Sequence, residues 1–351
     1  MNRTLGNALC SRDNALNFIR LLLAMAVIFW HTYPTSGAIP SWPAAELGAW
    51  AVNAFFALSG FLIAGSRLHL KFWPYLGRRA ARVFPAFWTV LVVTGFVFAP
   101  ISTIFTGRAY RLDDGLNYVA QNSLLWPGEL GVGETLRGIP HPDSWNGSLW
   151  TLFFEFGAYL AAGTLLSIRL VRRKLVWVSL AILAILSVAV ASGIGEGFPR
   201  LLDQIVPAVR LWSFFAAGML AYALRDRIPT TVSVGLASGI ALALTFSLGA
   251  AGWLGQIPLA VLLLWLGARI PVRVGSSNDV SYGMYVYAFP VQQLLVVAGF
   301  AKAAGPELSA VTAAALTLPF AWASWRFIER PAIESCTDGR VKRRREWRRA
   351  R

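Results

Sequence analysis

Charge is scarce in this chain. Asp, Glu, Lys and Arg together make 14% of its 351 residues, and only 17 residues are acidic. Soluble domains carry about 25% charged residues, so an ordinary water-soluble domain is excluded. The acidic residues form no cluster in the inner connections of the kind a metal-bound sugar nucleotide needs. This sets aside a lipid-linked glycosyltransferase, and no metal is expected. Cysteine is nearly absent: Cys10 and Cys336 stand at opposite ends, so neither a disulfide framework nor a CxxC metal site is implied. Internal repeats and paired Gly/Pro-broken segments are also missing. That weighs against the main alternative reading, a multi-span secondary transporter or exporter of a polar or carbohydrate substrate.

What remains is apolar. Hydrophobic residues make 56% of the chain, and they fall into windows of about the 20 residues that a transmembrane helix needs. Ten such windows lie near residues 16–34, 48–66, 83–105, 147–168, 175–193, 205–224, 230–249, 252–268, 280–301 and 308–327. The expected fold is an all-α integral membrane protein of about ten transmembrane helices. The first window could pass for a signal peptide because "SGA" follows it at 36–38. Its length and its Arg20 and His31 mark it instead as a retained span.

The net charge of +15 would suggest nucleic acid in a soluble protein. Its distribution says otherwise. With the N-terminus inside, the two termini and the even-numbered connections carry 25 of the 32 Lys and Arg residues, and the outer connections carry only Arg108, Arg111, Arg137, Arg200 and Lys302. This is the positive-inside pattern, which places both ends in the cytoplasm of a multi-pass inner or plasma membrane protein. The tail "RVKRRREWRRAR" is then a patch for anionic headgroups of the lipid bilayer. No nucleic-acid partner is expected.

Ionisable groups inside spans are costly and therefore mark function. Arg20 lies near the inner end of the first window. His31, in "IFWHTYP", sits ~16 Å further along the helix axis and so in the outer half. Glu155, in "LWTLFFEFGAY", lies ~12 Å inside the fourth window from its outer end. A short carboxyl at that depth needs a partner, and His31 is the expected one. The two would form a base with its orienting group, as acyl transfer to a hydroxyl requires. Ser59 and Ser148 are nucleophiles by type, but small-residue helix packing explains them better.

On the inner side, "YLGRRAARVFP" places Arg78, Arg79 and Arg82 just before the third window, with Pro85 in its expected first turn. Three guanidinium forks beside the free N–H groups of a helix start would bind phosphates. The long outer connection, 106–146, is expected to be functional. It offers Tyr110, Tyr118, Trp126 and Trp145 for sugar stacking, and Asp113, Asp114, Glu129, Glu134 and Asp143 as hydrogen-bond acceptors. Tyr282 and Tyr285 are further candidates for lining the cavity.

These residues carry a resemblance. Arg20 is followed by His31; "FFALSGFLI" stands at 55–63; Arg79-x-x-Arg82 precedes Pro85; "LWTLFFEFGAY", "SYGMYVYAFPV" and "FIERPA" come at 149–159, 281–291 and 327–332. In this order the chain resembles the membrane-bound acyltransferase 3 family, which includes O-antigen and nodulation-factor acetylases. The likeness runs over residues 14–333, the expected transmembrane domain, and leaves 334–351 as a basic cytoplasmic tail. It implies transfer of an acyl group, usually acetyl, from cytosolic acyl-CoA to a carbohydrate acceptor across the membrane. It also implies that His31 and Arg20 are essential and that the Arg79–Arg82 pair is functionally important. Two positions depart from the family pattern: Ala288 stands where the ninth span often has histidine, and Asn17 where many members have Asp. The combined expectation places CoA phosphates on Arg78, Arg79 and Arg82, with Arg20 flooring the cavity. His31 acts as base or as the acylated group, Glu155 orients it, and Trp126, Trp145, Tyr282 and Tyr285 contact the substrate.

Overall fold

The computed structural model describes residues 3–11, 13–41, 44–193, 206–274 and 278–336. The basic tail beyond residue 336, and Arg200 in the charge count, lie outside them. Among the described residues there is no strand, only one isolated antiparallel bridge between Thr4 and Pro229. The main helices are α1 (Leu16–Ser36), α2 (Ala44–His69), α3 (Phe72–Val93), α4 (Leu112–Asn122), α5 (Trp150–Leu165), α6 (Leu175–Ala191), α7 (Val206–Ala223), α8 (Val232–Ser247), α9 (Gln256–Arg269), α10 (Ser281–Val297) and α11 (Phe300–Ser324). Each apolar window of the sequence holds a helix, because a helix satisfies every backbone polar group within its own segment. Four stretches, Leu16–Ser36, Ala45–His69, Phe72–Thr106 and Phe300–Cys336, are long and apolar enough to cross a membrane, and three shorter apolar helices accompany them. The protein is an all-helical membrane protein.

One boundary corrects the sequence reading. Helix α3 starts at Phe72, well before residue 83, and continues through a π-turn (Thr94–Phe98) to Thr106. Arg78, Arg79 and Arg82 therefore lie in a helix interior, and Pro85 is inside the helix too. The charges end the apolar window but not the helix, since Leu, Arg and Ala are all good helix formers.

The chain divides into two compact units. The first comprises Met1–Leu23, Ala49–Leu76 and Phe154–Ser277. Its core is a crossing of α2 on α7 at backbone contact. A Cβ on Gly60 would stand 2.0 Å from the Phe215 carbonyl oxygen, and one on Gly218 would stand 2.0 Å from that of Ala57. Where lipid removes the hydrophobic drive between helices, such close approach supplies the packing. Gly218→Val should therefore destabilise the fold by about 1–3 kcal/mol or more, read as a lower midpoint of thermal unfolding in detergent. An unchanged midpoint would show that the helices do not meet there. In the same unit Arg67 is fully buried, and it donates to the carbonyls of Gly163 (2.9 Å) and Leu70 (2.7 Å) and to Ser167 Oγ (2.7 Å). This cation holds helices together.

The second unit comprises Ala24–Gly48, Gly77–Phe153 and Asn278–Arg351. Helix α10 is its axis: every residue from Ser281 to Gln293 is buried, the signature of a helix packed on all sides. It lies closely along α11, where a Cβ on Gly283 would come within 2.6 Å of the Ala321 Cα. Helix α4 packs on the π-turn of α3, with Gly115 against Gly95. Deep in this packing, burial pushes the Tyr118 phenol above its ordinary range.

Candidate functional site

His31 is half-buried on α1. Its Nδ1 is 2.9 Å from the Val27 carbonyl oxygen one turn earlier. A carbonyl only accepts, so Nδ1 carries the proton and Nε2 keeps its lone pair. The ring stands edge to face with Trp30 (4.8 Å between centroids) and with Phe289 of α10 (5.1 Å). Trp30 is itself fixed by donation from Nε1 to the Ala45 carbonyl at 2.9 Å. Helix α10 grips α1 directly, since Gln292 Nε2 donates to the Ile28 carbonyl (2.6 Å) and to Thr32 Oγ1.

A second imidazole, missed in the sequence, shares this aromatic wall. His141 lies in "GIPHPDSWNG", where nothing local distinguishes it. The fold sets its ring 5.8 Å from that of Phe289, the same ring that meets His31. Gly147 makes room for Phe289: a Cβ there would lie 2.9 Å from its ring. The segment is stapled to α10 by Gln293 Nε2, which donates to the carbonyls of His141 (2.8 Å) and Ser144 (2.6 Å), and by Asn146 Nδ2, which donates to that of Val286 (2.8 Å).

Other expected site residues are placed differently. Glu155 accepts from Ser59 Oγ at 2.9 Å and from the Tyr159 hydroxyl. Both lie in its own unit, as Val27 lies in that of His31, so each expected partner is bonded elsewhere. A backbone carbonyl orients the imidazole through Nδ1. Arg20 belongs to the same unit as Glu155 and is half-buried. Trp145 is fully buried, with its indole N–H on Thr135 Oγ1 (2.9 Å), so neither face is open to a sugar. Trp126 is half-buried, its ring 4.9 Å edge-on from that of Phe153. Tyr282 and Tyr285 are buried and join helices: their hydroxyls donate to the Val83 carbonyl (2.8 Å) and the Ser148 carbonyl (2.9 Å). Ser148 in turn donates to Asn146 Oδ1 at 2.9 Å.

The arginines of α3 also differ from expectation. In the interior of α3 they have no free N–H groups beside them to assist in holding an anion, and the helix-start argument falls. Arg78 and Arg79 are half-buried. Arg82 reaches two carboxylates, Nη1 to Glu329 at 2.5 Å and Nη2 to Asp279 at 2.7 Å, with its guanidinium over the rings of Tyr282 and Trp325. Asp279 also accepts from the Ser281 N–H and hydroxyl, capping the start of α10. One cation thus joins α3, α10 and the π-turn that ends α11.

A helical membrane scaffold with an imidazole held on one of its helices defines a broad class, a membrane protein with an ionisable group among its helices. The comparison with known proteins narrows it. The acyltransferase domain family matches residues 13–326, and the chain belongs to that family. It is similar to an O-acetyl transferase of Shigella phage Sf6, 29% identical over 299 residues, which cover 81% of this chain and 86% of the phage protein. No solved structure matches the chain.

Proposed function

We propose that the protein is a multi-pass O-acetyltransferase of the cell membrane, with both termini cytosolic, that moves an acetyl group from acetyl-CoA to a hydroxyl of a cell-surface carbohydrate. The observation that carries the chemistry is the His31 ring, with Nδ1 on the Val27 carbonyl and Nε2 left to act as base. The ten apolar windows and the inner excess of Lys and Arg support the orientation. The name of the phage relative supports oxygen as the acceptor atom.

In this mechanism the hydroxyl oxygen attacks the thioester carbonyl while His31 Nε2 takes its proton. The carbon–sulfur bond breaks as the carbon–oxygen bond forms, and the proton passes to the departing thiolate, which leaves as free coenzyme A. Arg78 and Arg79 hold the phosphates at the inner end. Arg82, with both terminal nitrogens on carboxylates, keeps that end in shape.

The test is release of free thiol from acetyl-CoA by purified protein, with and without candidate sugars. Sugar-dependent release is expected, and its absence with every sugar would reject the reading. Arg79→Lys keeps the charge but loses the planar fork, so it should weaken acetyl-CoA binding measured by titration. An unchanged affinity would leave Arg79 a topological role only.

A further inference from the structure

The geometry points to an acceptor subsite for a polyhydroxyl ring, formed by His141, Ser144 and the adjacent Gln292 and Gln293, in which sugar hydroxyls donate to buried oxygens beside the His31 base. It rests on the acetyl-transfer reading and adds where the acceptor is held.

Gln292 and Gln293 are 2% and 0% exposed, and Ser144 is 4% exposed. The two amide nitrogens are in use, each facing at least one backbone carbonyl. A carbonyl can face only a donor, so both amide orientations are fixed and neither oxygen can be exchanged for the nitrogen. Their Oε1 atoms are left buried with no donor from the protein, and so is the Ser144 hydroxyl. Each such group destabilises the fold when left unsatisfied. The Gln292 amide stands where α10 meets α1, and the Gln293 amide stands with Ser144 where α10 meets the 141–144 segment. All lie within one unit, and the two glutamines are within a turn of Phe289, whose ring meets both imidazoles.

The cluster wants neutral O–H donors in number, set against an aromatic face. Phosphate brings acceptors and negative charge, and would add to the deficit. A pyranose brings several hydroxyl donors on a rigid ring with an apolar face. The His141 imidazole adds an edge able to hold a hydroxyl neighbouring the one that His31 deprotonates.

The experiment uses the full chain in nanodiscs, with Cys10 and Cys336 replaced by serine and Ser144→Cys as reporter. The rate of labelling by a small methanethiosulfonate is measured with and without methyl glucoside, methyl galactoside and methyl mannoside. Labelling is expected to slow several-fold with at least one glycoside. His141→Phe should remove that protection. Equal rates with all three glycosides would mean that the buried oxygens are served by water alone and would overturn the subsite, as would a thiol that never labels, since a sugar could not enter either. Thiol release from acetyl-CoA is followed in parallel on the parent with native Ser144. Release without protection removes the subsite and leaves acetyl transfer standing, whereas protection without release does the reverse.

Discussion

His31→Ala is expected to lower the rate of acetyl transfer by about 100- to 10,000-fold, the usual loss for a general base, with protein yield and acetyl-CoA binding kept. The Val27 carbonyl holds the Nδ1 proton and presents Nε2. His31→Gln can still donate to that carbonyl but offers no base, and it should be nearly as inactive. Full activity in either variant would remove His31 from the chemistry. Glu155 supplies a contrast. A carboxylate bonded to His31 would form one unit with it, and the double variant would then be hardly worse than His31→Ala. Glu155 instead accepts from Ser59 and Tyr159, and its own substitution to Gln should weaken that trio separately. Losses in a His31→Gln, Glu155→Gln double variant should therefore multiply. A double variant no worse than His31→Gln alone would restore the carboxylate to the imidazole.

Arg82→Ala should be the most damaging change to stability, by about 3–5 kcal/mol, because it takes an ion-pair partner from a buried carboxylate. Glu329 is 0% exposed, and its other oxygen is already engaged by Ser324 Oγ at 3.0 Å. The Asp279 carboxylate loses the same partner. Arg82→Lys should recover only part of the loss, since one ammonium cannot serve both carboxylates as the planar fork does. Replacing the pair together, Arg82→Met with Glu329→Leu, should be milder than Arg82→Ala alone, because the buried charge goes with its partner. Thermal unfolding in detergent, followed by tryptophan fluorescence, distinguishes these. If Arg82→Ala melts with the parent, the ion cluster does not hold α3, α10 and α11 together.

The sequence by itself determined the helical membrane class and singled out His31. Apolar windows and a lone imidazole within one are local properties, and lipid admits few other ways to satisfy a backbone. The same local logic misjudged where α3 begins, because a run of arginines ends hydropathy without ending a helix. It also sought a carboxylate for His31 when a carbonyl four residues back was already in reach, a partner that side-chain chemistry does not reveal. Only the tertiary structure decided the rest. Bringing Asp279 and Glu329 to Arg82, and setting His141 against Phe289 and Gln293, join residues far apart in sequence. Those meetings depend on which faces of α10 its neighbours cover, and a helix buried on every side carries no amphipathic stripe from which its neighbours could be read.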